Sequence, residues 1–357
     1  MLKTDPSKEL LGEMISQHGV QFKFRTEQIS LWDKVLSQST YAPVNYTNES
    51  IDYQWIYQQG HGGCWLDISL IIYWNNVPSA IWPLSLSLKD EQYILSSHGL
   101  PILPPLIIKD CPKKSRKTLV KICLDIANTI AQFTEIDFWQ SSESFGNNIS
   151  LSEWHVESMR LGAEAILRHE LYLDISPHIN DIKSGFRKSY KSLVSVGTRL
   201  WSIELLENSN TTVWDEFRNL HLQVSGRITR SIASWDIQLE HIRNGNAFLV
   251  YLRNNIGEMV GGGLFNLSHD EGVYSVGAYD RKLFNNYSLG HIVQYKAIEE
   301  MKTRNIKWYK LGSRRFISES PKPTEKEISI SEFKHGFASH LFPHLLLRHP
   351  SQSKRDN

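Results

Sequence analysis

The chain has 357 residues, which is enough for about two domains that each bury a core of their own. Its 39 basic and 38 acidic residues nearly cancel, so no overall field attracts nucleic acid, which argues against a dedicated DNA-binding protein. The three cysteines are odd in number and lack Cys-x-x-Cys spacing, so they fit a reducing cytoplasm and not a disulfide framework or a zinc site.

The first half of the sequence predicts a domain at residues 26–150, behind a loosely held lead-in at residues 1–25. The segment at residues 99–106 is rich in proline, and its prolines lack the N–H group and fix φ. Neither a helix nor a central strand tolerates them, so the segment predicts a shaped loop. Apolar spacing and turn residues predict two short helices, a hairpin of two buried strands, a long helix and a strand, at residues 32–36, 46–58, 65–88, 115–133 and 136–139.

The second half predicts a larger domain at residues 151–350. Its first elements are a helix, a strand, a basic helix, a second strand and two helices, at residues 154–167, 170–174, 179–194, 199–206, 212–224 and 234–243. The basic helix carries Lys183, Arg187, Lys188 and Lys191 largely on one side. Such a face either holds phosphate or is simply solvated.

Residues 247–312 carry the clearest pattern in the chain. Apolar and aromatic runs of strand length, separated by turns at residues 254–257 and 268–272, predict an antiparallel meander of three strands. A polar link at residues 280–286 precedes a helix whose apolar positions recur at steps of three and four. A further strand follows at residues 306–311. The first half repeats the order of hairpin, long helix and strand, which predicts two similar halves.

This order of elements resembles the centre of the GNAT acyltransferase fold, and a set of sequence blocks narrows the resemblance to the FemAB-type branch. The blocks are Leu171-Tyr-Leu-Asp-Ile, Gly185-Phe-Arg-Lys-Ser-Tyr-Lys191, Val276-Gly-Ala-Tyr279, Tyr309-Lys-Leu-Gly312 and Glu332-Phe-Lys-His-Gly-Phe337. The resemblance covers roughly residues 165–345. It implies an α+β protein of two tandem GNAT-like domains, each a mainly antiparallel sheet flanked by helices. No long coiled-coil arm is present, so the compact version of the family is the better comparison.

The resemblance implies a donor site at the N-terminus of the helix that begins near Ser288. Free N–H groups and the positive end of the helix dipole would face the donor there. Acetyl-coenzyme A enzymes carry Arg/Gln-x-x-Gly-x-Gly/Ala at this place, and the chain offers Asn285-Asn-Tyr-Ser288-Leu289-Gly290, in which only the last position matches. Gly290 can alternatively serve close packing of the helix on a strand.

Three residues near this helix are catalytic candidates. Tyr279 and Asp280 end the third meander strand and could orient or deprotonate an acceptor amine, which direct acyl transfer requires. His291 lies in the first helical turn. The alternative interpretations are a core tyrosine, a turn or cap aspartate and a surface histidine.

Four residues are candidates for binding the acceptor. Lys334 matches the position at which compact relatives place a lysine on the diphosphate of a nucleotide-sugar acceptor. Ser313, Arg314 and Arg315 follow a strand end and could bind an anion. Lys334 can also be a plain surface lysine.

Taken with the resemblance, these residues predict an N-acyltransferase that transfers an acyl or aminoacyl group to the amine of an amino sugar or a cell-envelope polysaccharide precursor. The acceptor would be a small molecule or linked to a nucleotide or lipid. The co-substrate would be acyl-CoA, or aminoacyl-tRNA if the chain forms peptidoglycan interpeptide bridges, and no metal is expected. A catalytically silent GNAT-like binding subunit remains an alternative. No apolar stretch has the length of a signal peptide or a spanning helix, which predicts a cytoplasmic protein without a transmembrane segment.

Overall fold

The computed structural model describes residues 6–62, 64–143, 151–208, 210–284 and 287–350. The chain forms two compact units, of which the first comprises Met1–Leu167 with His344–Asn357 and the second Arg168–Pro343. The sequence placed the division between residues 150 and 151 and gave the whole C-terminal part to the second domain. In the structure the last strand returns the chain to the first unit.

The elements up to residue 160 belong to the first unit. They are, in chain order, α1 Lys8–Ser16, β1 Gln21–Phe24, α2 Ile29–Ser37, α3 Asn48–Gln59, β2 Cys64–Asp67, β3 Leu70–Trp74, β4 Val77–Trp82, β5 Ser85–Lys89, β6 Gln92–Ser96, β7 Leu106–Ile107, α4 Lys113–Phe133, β8 Phe138–Ser142 and α5 Glu153–Arg160.

The elements of the second unit follow, and its first and last strands cross between the units. They are β9 Glu164–Asp174, α6 Ile179–Gly185, α7 Lys188–Leu200, β10 Ser202–Leu206, α8 Thr211–Ser225, α9 Ile232–Arg243, β11 Ala247–Arg253, β12 Met259–Leu267, β13 Glu271–Tyr279, α10 Arg281–Phe284, α11 Leu289–Thr303, β14 Trp308–Arg314, α12 Glu325–His335 and β15 His340–Pro350.

The first unit is built on two small sheets, with strand orders β1-β3-β4-β7 and β2-β5-β6. Alternate residues of β3 and β4 face opposite sides, as the pleat requires. Ile71 and Ile81 pack with Trp32 of α2, whereas Ile72 and Trp82 pack in the core that contains α1 and α4. The chain turns between β3 and β4 at Asn75-Asn76, with φ of 50° and 62°, the left-handed pair that a tight hairpin turn demands.

Two predictions for the first unit need correction. Residues 1–25 are not merely a loose lead-in, because α1 and β1 lie there and Leu11 and Ile15 are fully buried in the core. The predicted pair of long strands at residues 65–88 is four strands. The chain leaves the ladder at Ile68-Ser69 and again at Pro83-Leu84. At the second break Pro83 has no N–H group to donate to a central ladder.

The second unit has one sheet in the order β10-β11-β12-β13-β14-β9. β13 and β14 run parallel, whereas the other neighbouring pairs are antiparallel. β11 shows how both faces are covered: Phe248 and Val250 pack with α7 and α11, and Leu249 and Tyr251 pack with α8 and α9. The predicted meander, the helix after it and the following strand are all present.

Two predicted helices of the second half have different bounds in the structure. The helix at residues 154–167 ends at Arg160, and Gly162 then takes a φ of 82°, which turns the chain into β9. The basic helix at residues 179–194 is two helices. Phe186 is extended, with φ −63° and ψ 154°, and separates α6 from α7. Its buried ring packs in the core, which fixes the break.

Glycines in β12 let α11 lie close to the sheet. A Cβ on Gly263 would come within 2.9 Å of Val293 Cγ1 and 3.0 Å of Tyr274 Cε2. We expect Gly263→Ala to lower the free energy of unfolding by about 1–3 kcal/mol, because both neighbours are held in a packed core. Chemical denaturation of Gly263→Ala beside Gly185→Ala tests this, since a Cβ on Gly185 meets nothing within 4 Å. Equal stability of the two variants would contradict it.

Candidate active site

The two parallel strands at the centre of the second unit part from each other. β13 pairs with β14 from Glu271 to Val273, opposite Trp308 to Lys310, and their described residues show no pairing beyond. β13 continues along β12 to Tyr279, and β14 continues along β9 to Arg314. β13 therefore stays paired with β12, and β14 stays paired with β9, beyond the point at which the two strands separate from each other.

Irregularities in both strands explain the parting. The register of β13 on β12 shifts between Leu264 and Phe265, and the register of β14 on β9 shifts between Lys310 and Gly312. Such bulges add a residue and bend the strand. Gly312 has a φ of 101°, which only glycine adopts readily. The facing edges beyond Val273 and Lys310 thus present backbone N–H and C=O groups that a ligand can bind.

The first turn of α11 lies against aromatic side chains. Leu289 and Gly290 are buried, and the N–H of Leu289 donates to the Tyr287 carbonyl at 2.9 Å. Ser288 is at the cap position but makes no side-chain cap bond. Asn285 lies outside the described residues. Ser288 is therefore more accessible than Leu289 and Gly290, and donor binding at this turn stays a prediction.

Gly290 has a packing role in the structure. A Cβ there would stand 3.2 Å from Phe333 Cζ and 3.7 Å from Tyr279 Cζ. We expect Gly290→Ala to cost about 1 kcal/mol of stability and Gly290→Val more, because the larger side chain must displace the Phe333 ring. Activity should fall in step with the melting temperature. A folded Gly290→Val variant with an unchanged melting temperature and a raised donor KM would instead assign Gly290 to donor binding.

Tyr279 is half-buried and belongs to a network of hydroxyl groups that packs against α11. Its hydroxyl lies 3.1 Å from the Tyr274 hydroxyl, and Tyr309 donates to Gln294 Oε1. Burial raises the pKa of Tyr274 to about 12, and burial together with the Tyr274 hydroxyl raises the pKa of Tyr279 further above its usual range. A tyrosine that holds its proton this firmly can orient a neighbour, but it is a poor base at neutral pH.

His291 stands in an aromatic enclosure. Its ring packs edge-on against Tyr190 and Phe333, with centroids 4.3 and 5.0 Å away. Both ring nitrogens are buried and have no hydrogen-bond partner among the described residues. Burial lowers the pKa of His291 to about 4, with the nearby Ser288 backbone opposing the shift. The imidazole is therefore neutral at pH 7 and a weak base.

Asp280 has one oxygen engaged and no ion-pair partner among the described residues. Its Oδ1 accepts the Lys282 N–H at 2.7 Å, and its backbone carbonyl accepts the Phe284 N–H at 3.0 Å, so the residue starts the short helix α10. The cap interpretation of the sequence thus has a geometric basis. The second carboxylate oxygen remains for another contact, and Asp280 is half-buried at the end of β13.

Lys334 projects from α12 toward the end of β14. Its Nζ lies 3.2 Å from the place that a Cβ on Gly312 would occupy. Within the described ranges it has neither a hydrogen-bond partner nor a carboxylate partner, and it is half-buried. Burial lowers the pKa of Lys334. An ammonium held in this way without a counter-charge is costly unless a ligand supplies the anion.

The neighbouring cations of β14 are differently placed. Arg314 is buried and pairs with Glu332, while its Nη1 donates to Ser331 Oγ at 2.8 Å. Arg315 Nε lies 2.8 Å from Glu319 Oε2. These contacts fasten β14 to α12 and to the following loop, so neither arginine offers an uncompensated charge. Ser313 is exposed beside them.

The structure brings several predicted site residues together and adds others. Tyr279 and Phe333 both lie against Gly290, and Lys334 follows Phe333 on the same helix, beside Gly312. Four further residues of this region were not among the predicted site residues: Tyr190, Tyr274, Gln294 and Phe333. The sequence shows that the Glu332–Phe337 block contains an aromatic residue. It does not show whether that residue packs in the core or lines a site, because both positions have the same apolar pattern.

No three His, Cys, Asp or Glu side chains within the described ranges are arranged to hold a metal ion. In the part of the chain that the structure describes, no helix combines the length and the apolarity needed to cross a bilayer.

Comparisons with known proteins identify the fold. No protein-family model matches the chain, and no curated protein matches its sequence. Among solved structures, FemX aligns with a TM-score of 0.69 and 12% identity, over 93% of this chain and 98% of FemX. The chain has the tandem GNAT-like fold of FemX. The predicted α+β class and the resemblance to the FemAB-type branch are thereby confirmed at the level of the fold.

Two further structures share this fold at low identity. The C-terminal domain of a putative lysylphosphatidylglycerol synthetase from Agrobacterium fabrum aligns with a TM-score of 0.55 and 11% identity, over 96% of this chain and 93% of that domain. A tandem GNAT protein from the clavulanic acid biosynthesis pathway aligns with a TM-score of 0.52 and 11% identity, over 93% of this chain and 98% of that protein.

Proposed function

We propose that the chain is an N-acyltransferase that transfers an acyl or aminoacyl group to the amine of an amino sugar or a cell-envelope polysaccharide precursor. The observation that carries the proposal is the ammonium of Lys334 beside Gly312, which has no counter-charge among the described residues and lies where β13 and β14 have parted. A phosphate on the acceptor would restore the missing counter-charge. Charge-assisted contacts of this kind are about twice as strong as neutral hydrogen bonds.

Each part of the site has a role in this proposal. The unpaired edges of β13 and β14 hold the amide groups of the donor, Lys334 holds a phosphate of the acceptor, and Ser313 adds a hydroxyl beside it. Asp280 accepts the proton that the ammonium of the acceptor must lose before attack. Among the three catalytic candidates it suits this task, because one oxygen of its carboxylate has no partner among the described residues, whereas the raised pKa of Tyr279 keeps that residue protonated and both ring nitrogens of His291 are buried.

The donor has two chemically distinct candidates. Acyl-CoA is the first, and the structure of the tandem GNAT protein from the clavulanic acid pathway is described as one without AcCoA, which connects AcCoA with that protein. Aminoacyl-tRNA is the second, in a peptidoglycan interpeptide-bridge transferase. The local charge of α7 favours it, because no acidic residue lies between Asp181 and Glu204, whereas Lys188 and Arg199 are exposed there.

Calorimetric titration of the protein with acetyl-CoA and with tRNA, at two salt concentrations, separates these donors. Heat with acetyl-CoA alone supports the first, and salt-sensitive heat with tRNA supports the second. A transfer assay then pairs the donor that binds with a nucleotide-linked amino sugar and with the same amine lacking phosphate. We expect faster transfer to the phosphate-bearing acceptor. Absence of both binding and transfer would leave a silent binding subunit.

A further inference from the structure

The connection between α8 and α9 carries large aliphatic side chains that the fold leaves in water. Ile228 is 81% exposed and Ile232 is 68% exposed, and Leu222, on the last turns of α8, is 45% exposed. Only scattered single aliphatics are normal on a protein surface. Here they fall within one short stretch of chain around the turn that begins at Gly226, whose φ is 67°.

Polar groups of the turn hydrogen-bond to one another and hold its backbone. The isoleucines are therefore exposed in a defined conformation of the turn. Ser225 Oγ donates to the Arg227 carbonyl at 2.6 Å, and Ser231 caps α9 through the Ser234 N–H at 3.2 Å. Arg230 folds back between the helices, where it lies over Trp235 and 3.3 Å from His221 Nε2. The aliphatic side chains of Leu222, Ile228 and Ile232 remain exposed beside this packed pair.

The charge around the turn has one sign. No acidic residue occurs between Glu216 and Asp236, whereas Arg218, Arg227 and Arg230 fall in that interval. Arg218 is paired with Asp215, but Arg227 is exposed and forms no ion pair with a described residue. An anionic partner therefore meets apolar side chains flanked by cations, without a carboxylate to repel it.

We propose that the α8–α9 turn, residues 222–232, is a docking surface for an anionic lipid bilayer. A few aliphatic side chains with neighbouring arginines suit the boundary between headgroups and acyl chains. The aliphatic side chains enter the acyl-chain region there, and the arginines contact the anionic headgroups. The same few side chains would be a small contact for a protein partner, because stable protein interfaces bury roughly 1,000 Å² or more. The surface would bring a lipid-linked acceptor to the enzyme, and only that last step rests on the proposed transferase activity.

Vesicle co-sedimentation tests the surface without any turnover. We expect the wild-type protein to bind vesicles of phosphatidylcholine with roughly one-third phosphatidylglycerol, to bind pure phosphatidylcholine weakly, and to be released by high salt. The double variant Ile228→Ser, Ile232→Ser should lose at least about tenfold in partition, because two aliphatic groups no longer enter the bilayer. Arg227→Glu should lose about fivefold or more.

Ile256→Ser is the matched control, because Ile256 is 73% exposed in the turn between β11 and β12 of the same unit. It should bind vesicles like the wild type, and circular dichroism should show all variants folded. Absence of wild-type binding to the anionic vesicles, or equal loss in Ile256→Ser, would overturn the proposal. Self-association that the double variant abolishes, without vesicle binding, would show an interface between copies of the chain instead. Transfer to a water-soluble amine should be unchanged in the double variant, which separates this surface from the active site.

Discussion

Replacement of Lys334 by methionine is expected to reduce kcat/KM for a phosphate-bearing acceptor by about 10- to 150-fold and at the same time to stabilise the protein. The loss follows from removing one charge-assisted contact, worth roughly 1.5 to 3 kcal/mol. The gain follows because an ammonium without a counter-charge is replaced by an apolar side chain of similar length, worth about 1 kcal/mol or about 2–4 °C in Tm.

The pH dependence of that gain has a definite sign. Burial lowers the pKa of Lys334, so the folded protein holds this proton less tightly than the unfolded chain does. The resulting penalty is fully present below the lowered pKa and disappears as pH rises toward the ordinary lysine value. The Tm difference between Lys334→Met and wild type should therefore be largest near neutral pH and shrink in alkaline buffer.

Lys326→Met is the control for both effects. Lys326 lies on the same helix, α12, but is exposed, so its replacement should change neither kcat/KM nor Tm appreciably. Calorimetric melting and steady-state kinetics with matched acceptors, one with and one without phosphate, give both readouts. An unchanged kcat/KM in a stabilised Lys334→Met protein would mean that Lys334 is a poorly placed surface lysine. A destabilised variant would mean that its stem, and not its charge, matters for packing.

The parts of the fold that the sequence predicted well are those in which a local pattern and the tertiary environment agree. The β11–β13 meander and α11 show clear strand and helix periods because each presents one or two apolar faces to a core. The errors lie where a tertiary contact overrides the local pattern. Phe186 interrupts a good helical sequence because its ring is needed in the core, and no local signal announces that break.

Tertiary contacts limit the prediction of the candidate site even more than the prediction of the fold. Two cations, Arg314 and Lys334, are the example. Both were predicted to bind an anion, Arg314 because it follows a strand end and Lys334 because it matches the position of a lysine in compact relatives. The fold gives Arg314 the Glu332 carboxylate as partner and leaves Lys334 without one among the described residues. Glu332 and Lys334 are two positions apart on a helix and so point to different sides. That difference depends on the docking of α12 along β14, which no single sequence can supply.

The Asp280→Asn substitution is expected to lower kcat by about 10²-fold or more while leaving Tm unchanged. An amide oxygen can still accept the Lys282 N–H that Asp280 Oδ1 accepts at 2.7 Å, so the start of α10 survives. The substitution removes the base, however, and a positioned base contributes on the order of 10²- to 10⁴-fold.

Asp280→Ala provides the complementary control, because it removes both the base and the cap and should cost about 1 kcal/mol in addition. Rates across roughly pH 6 to 9 decide between the two roles of Asp280. A kcat lowered across this range in Asp280→Asn with an unchanged Tm would establish Asp280 as the base, whereas wild-type rates in Asp280→Asn with a lowered Tm in Asp280→Ala would leave it as a cap alone.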